Sequence, residues 1–154
     1  MNNAVVITDA SCLIALDNIG EIDLLQRLFD QIYITPDVSK EYDKPLPEWI
    51  IVRKPVLVDR QREFQGSLDP GEAGSIALAL EWSEALLIID EKKGRRLAIS
   101  LGIEIIGTVG VLLEAHSRGH IELSPSLIES LEAANFRLSS VLKSKLLYPK
   151  SRVQ

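Results

Sequence analysis

Four acidic residues stand where a hydrophobic run ends or a helix begins: Asp9, Glu41, Glu72 and Asp90. Asp9 closes the run Val5-Val6-Ile7-Thr8, and Asp90 closes Leu86-Leu87-Ile88-Ile89. Glu72 opens an alanine-rich stretch at Pro70-Gly71-Glu72-Ala73-Gly74, and Glu41 lies near the end of a short predicted helix after Pro36. Carboxylates without matching basic residues are the donor set of a hard cation such as Mg²⁺ or Mn²⁺. Two carboxylates ~5 Å apart repel by about 3 kcal/mol at an effective dielectric of about 20. A divalent cation removes that cost and can activate a water for attack on phosphorus. Each acid also has a purely local explanation. Asp9 could cap a helix beginning at 11, and Asp90 one beginning at 91. Glu72 could be a first-turn acid favoured by the helix dipole, and Glu41 a solvated helix residue. None of these explanations requires the four to meet, so convergence is what separates them from a metal site.

The elements that must bring them together follow from periodicity. Residues 4–8, 31–35, 86–89 and 104–106 read as short apolar strands. Pro45, Pro47 and Pro55 make 45–57 irregular, with at most one edge strand near Trp49–Val52. Helices are expected over 11–17 with Ser11 as its cap, over 21–30, and from Pro36 with Thr35 as its cap. Further helices are expected over 59–68, from Glu72 to about Trp82, over 91–101 and over 108–118, the last two stopped by Gly102 and Gly119. Segments 126–134 and 139–147 complete the set. Strands alternating with helices predict a parallel sheet with helices on both faces. In such a sheet the strand C-termini share one edge with the helix N-termini that follow, and ligands bind there. A helix over 72–82 rises about 15 Å away from that edge. The strand 86–89 returns about 13 Å. The lengths nearly cancel, so Glu72 and Asp90 end at the same edge. Asp9 joins them if its strand neighbours 86–89, whereas the arrival of Glu41 is less constrained.

The chain of 154 residues suffices for one domain, taken as 1–148, with 149–154 as a flexible C-terminal tail. A net charge of −5 argues against a protein that adheres to nucleic acid through a global basic field. It leaves room for a local basic rim. Lys92, Lys93, Arg95 and Arg96 follow Asp90 directly and could grip phosphates, or form a solvated helix face. The single cysteine, Cys12, has no partner for an internal disulfide and sits in an apolar helix start, where a free cysteine packs as a small hydrophobe. His116 and His120 are separated by Gly119 near a helix end, a poor metal pair. Trp49 and Trp82 read as core or interface residues. No segment reaches the ~18 apolar residues of a membrane span, and the N-terminus lacks a signal-peptide pattern. A cytoplasmic protein with no membrane partner is expected.

In order along the chain stand Val6-Ile7-Thr8-Asp9-Ala10-Ser11, Val38-Ser39-Lys40-Glu41, Gly71-Glu72-Ala73-Gly74-Ser75-Ile76-Ala77-Leu78-Ala79, Ile89-Asp90-Glu91-Lys92-Lys93-Gly94-Arg95-Arg96-Leu97-Ala98 and Gly107-Thr108-Val109-Gly110-Val111-Leu112. Together, over about residues 4 to 147, they resemble the PIN domain of VapC-type toxins and related metal-dependent ribonucleases, most of all a branch carrying a GE-x-x-x-I-x-L-A helix. The resemblance implies a three-layer α/β/α domain with a central parallel sheet. It implies catalytic acids at Asp9, Glu41, Glu72 and Asp90, with Mg²⁺ or Mn²⁺ held by Asp9, Glu72 and Asp90. Ser11 stands where the family has a small hydroxyl residue that orients a carboxylate or water. Glu72 stands where the toxins more often have Asp, and Glu91 adds a fifth acid, read as an outer-shell group or a solvated residue. The implied activity is hydrolysis of RNA phosphodiesters, as the toxin-like half of a toxin–antitoxin pair. RNA, an antitoxin protein and a second copy of the chain are then the expected partners. A rival reading is a catalytically silent PIN-like module that binds a protein. A receiver domain fits less well, because it would place two adjacent acids after the first strand.

Overall fold

The computed structural model describes residues 4–149. Among them five strands form one parallel sheet: β1 (Val5–Thr8), β2 (Ile32–Ile34), β3 (Ile50–Val52), β4 (Ala85–Ile88) and β5 (Glu104–Ile106). Their spatial order is β3-β2-β1-β4-β5, with Ile7 opposite both Tyr33 and Leu87. The chain thus winds outward from β1 to β3, then returns to the other side of β1 for β4 and β5. The reversal lies between β1 and β4, where the loops leaving two neighbouring strands part to opposite sides and open a crevice.

Alternation along the strands explains the layers. Val6, Leu86, Ile88, Ile32 and Ile34 point into one core. That core is covered by α1 (Ala10–Asn18), α2 (Asp23–Phe29), α3 (Pro36–Tyr42), α7 (Thr108–Ser117), α8 (Pro125–Ala133) and α9 (Ser140–Leu147). Ile7, Leu87 and Ile89 point into the other core, under α4 (Val58–Phe64), α5 (Pro70–Ala79) and α6 (Lys92–Ser100). This is the three-layer α/β/α arrangement, and β3 is the edge strand that the prolines predict.

Local boundaries differ from the sequence reading at several helices: α2 is trimmed to Asp23–Phe29, and α4 ends at Phe64 rather than 68. Helix α1 begins at Ala10, so Ser11 lies inside it and Asp9 is the residue that precedes it. The alanine-rich helix ends at Ala79, short of Trp82. Trp82 instead packs its ring 5.5 Å from that of Tyr33, with the Arg53 guanidinium 5.0 Å above it. Thr35 caps α3 as expected, accepting from the Val38 N–H at 3.2 Å. Gly20, Gly102 and Gly119 each adopt positive φ where a helix stops. Cys12 is fully buried, and burial pushes its thiol up to about 12, so it packs rather than reacts. Residues 150–154 of the expected tail lie outside the described residues. Among the described residues no helix is long and apolar enough to cross a membrane.

Candidate active site

At the C-terminal edge of β1 and β4 lies a cleft of roughly 470 Å³ that all four sequence-predicted acids line. Asp9 follows β1 directly and precedes α1, yet its side chain makes no cap hydrogen bond. It is 7% exposed, and its Oδ1 has no hydrogen-bond partner. Glu72 sits in the first turn of α5, is 6% exposed, and leaves Oε2 without a partner. Its Oε1 only weakly engages the Asp69 N–H, at 3.4 Å. A buried carboxylate oxygen without a donor is costly, and native proteins rarely tolerate one without a compensating ion or water.

Asp90 is held differently. Its Oδ1 accepts from the Thr108 N–H at 2.9 Å, and its Oδ2 accepts from Thr108 Oγ1 at 2.6 Å and Ser11 Oγ at 3.1 Å. It does not cap α6, whose preceding residue is Glu91; it binds the N-terminus of α7 instead. Ser11, the second residue of α1, therefore orients an acid lying 79 positions away.

Glycines let the acids approach one another. A Cβ on Gly71 would meet Glu41 Oε2 at 3.2 Å and the Oδ1 atoms of Asp69 and Asp9 at 3.4 Å each. Three carboxylates from α3, the α5 cap and the end of β1 thus converge on one bare Cα. Glu72 Oε2 lies 3.3 Å from where a Gly94 Cβ would stand.

This crowding shows in the ionisation. Burial, reinforced by the charges of Asp69, Glu41 and Asp90, raises the Asp9 pKa from 3.8 to about 7, although the Ala10 N–H works in the opposite direction. Burial first, then Asp69 and Asp9, raises Glu72 from 4.5 to about 8. Glu41 is also raised, by partial burial and the charge of Asp69.

Asp69 belongs to this group although the sequence reading treats it as part of a turn. It accepts from the Glu72 N–H at 2.8 Å and closes a capping box with Glu72. The Asp-Pro-Gly-Glu spacing is the signature from which the box can be read. Glu91 also lines the cleft, as an exposed residue. Lys92, Lys93 and Arg96 are exposed on α6 and do not line it. Arg95 turns inward, and its Nη1 donates to the Ile89 carbonyl at 2.8 Å. Across the cleft stands a wall missing from the sequence reading: Asn135, Phe136 and Arg137, between α8 and α9.

Among the described residues no three His, Cys, Asp or Glu side chains are closed around a common point for a metal ion. Asp90 faces its three donors, and Glu72 faces Asp69. The donor chemistry nevertheless fits a hard divalent cation. The donors are carboxylates throughout, and the two orphaned oxygens, Asp9 Oδ1 and Glu72 Oε2, lack a counter-charge.

The family model DUF3368, described as a PIN domain, matches residues 5–150. No curated protein and no solved structure matched the chain.

Proposed function

The chain belongs to the DUF3368 family of PIN domains, and from that premise we propose that it is a metal-dependent endoribonuclease hydrolysing RNA phosphodiester bonds. PIN domains are typically nucleases and generally use divalent metal ions. The observation that carries the reading is the pair of buried carboxylate oxygens without partners, Asp9 Oδ1 and Glu72 Oε2, in a cleft lined by four further acidic residues.

Asp9, Glu72 and Asp90 would hold Mg²⁺ or Mn²⁺. Bound there, the cation would supply Lewis acidity toward the phosphodiester and hold Asp9 and Glu72 in their ionised form. Thr108 and Ser11 fix both oxygens of Asp90, so this acid needs little reorganisation. Glu41, the most exposed of the four predicted acids and raised in pKa, would accept a proton from the attacking water. A toxin-like role beside an antitoxin protein rests on the sequence resemblance, and co-purification with the product of a neighbouring reading frame would test it.

The activity is tested with Asp90→Asn. Asn keeps the shape, and its amide can still accept from the Thr108 N–H, so the fold should stand. Mn²⁺-stimulated cleavage of RNA should be abolished. Undiminished cleavage by the mutant removes Asp90 from the mechanism. Wild-type protein that cleaves no RNA with Mn²⁺ or Mg²⁺ favours the rival, a PIN-like module that binds a protein.

A further inference from the structure

Among the described residues six acidic ones line the cleft and one basic residue does, Arg137. We infer that Arg137 contacts a phosphate of the RNA, held in place by the corner between α8 and α9; the inference rests on the nuclease reading of the cleft. A polyanion approaching six carboxylates needs positive charge on the wall as well as at the floor. A guanidinium supplies it as a planar fork that bonds phosphate oxygens in pairs. Among the described residues no carboxylate lies within ion-pair distance of Arg137, whereas Arg60, Arg118, Lys44 and Lys143 each have one. Its charge is not spent inside the protein.

The backbone carrying Arg137 is tied down on both sides. Helix α8 ends in a Schellman motif. Asn135 takes the left-handed conformation at φ 64°, its N–H donates to the Glu132 carbonyl at 3.0 Å, and the Phe136 N–H donates to the Leu131 carbonyl at 3.0 Å. Phe136 packs against the core that holds the buried Leu131. Two residues after Arg137, Ser139 caps α9 by accepting from the Leu142 N–H at 3.2 Å. Lys143 and Glu132 pair at 2.9 Å and clamp the two helices. With the backbone fixed this way, meeting a phosphate orders only the arginine side chain and not the corner that carries it. The basic residues of α6 do not share this position, since Arg95 is occupied with Ile89 and the others lie outside the cleft.

The test is steady-state cleavage of a labelled single-stranded oligoribonucleotide with Mn²⁺ at several KCl concentrations. Wild type, Arg137→Ala, Arg137→Lys and the exposed α4 control Arg62→Ala would be compared. Arg137→Ala should raise KM about tenfold with a smaller change in kcat. The slope of log KM against log salt should become shallower by about 0.7, the share of one phosphate contact on a single strand. Arg137→Lys should keep the wild-type slope and lose part of the affinity, which a merely structural role would not produce. Arg62→Ala should match wild type. If wild type cleaves and Arg137→Ala retains its KM and slope, Arg137 has no phosphate role and the metal-site reading stands. If wild type cleaves nothing, both are overturned.

Discussion

At Asp9 and Glu72 the sequence places charge where the fold removes water. Both carboxyls prefer the neutral form in the metal-free protein, with folded pKa values of about 7 and about 8 against ordinary values of 3.8 and 4.5. Folded-state values above the unfolded ones mean that the native state binds the extra protons. The resulting stability is full below the unfolded values and is lost as pH rises through 7 and 8. Metal-free protein should therefore melt several degrees lower at about pH 8 than at about pH 5. In Asp9→Asn that decline should be smaller. Thermal melts in EDTA across this range check the sign, and a melting temperature that rises toward pH 8 would contradict the burial of these acids.

Among the elements, the N-terminus of α7 does for Asp90 what no cap residue on α6 does. The strand ends and helix starts around it could be anticipated because short apolar runs stop at Asp9, Asp90 and Gly107, and Thr35-Pro36 announces a capped helix. Boundaries set by tertiary packing could not. The sequence Leu80-Glu81-Trp82 would allow the helix to continue, but the chain leaves it after Ala79, where Trp82 makes a tilted ring contact with Tyr33 beneath Arg53. Ser11 looks like a cap locally and is an Asp90 partner because β1 and β4 are neighbours. Gly107 bears on function in the same way. A Cβ there would stand 3.0 Å from Asp90 Oδ1 and 3.1 Å from Arg95 Nη1. Both atoms are pinned, by the Thr108 N–H and the Ile89 carbonyl. Gly107→Ala should cost at least about tenfold in RNA cleavage by displacing Asp90, while lowering the melting temperature by only a few degrees. Activity and melting temperature measured on the same preparation decide this, and full activity would show that Asp90 tolerates the displacement.

Over the whole molecule, the reversal of strand order between β1 and β4 assembles residues 9, 41, 69, 72 and 90 at one edge. The out-and-back length of helix and strand makes the meeting of Glu72 and Asp90 legible in sequence. Asp69 was within reach through its capping-box spacing. Arg137 was not, because no local pattern carries the end of α8 across the molecule to the edge where Asp9 stands; packing of α7, α8 and α9 does that. The basic run after Asp90 follows that acid in sequence, yet Lys92, Lys93 and Arg96 stand exposed on α6 and do not line the cleft. The gathered carboxylates should hold a cation. Melting curves of wild type and Asp9→Asn, each in EDTA and in Mn²⁺, test this most directly. In EDTA at about pH 8, where Asp9 with its pKa of about 7 is ionised, the mutant should melt higher, because it relieves roughly 1–3 kcal/mol of repulsion. Mn²⁺ should stabilise wild type by mass action and the mutant much less. Equal Mn²⁺ shifts in the two proteins, with no gain for the mutant in EDTA, would mean that Asp9 is not a ligand and that the acids do not form a metal site.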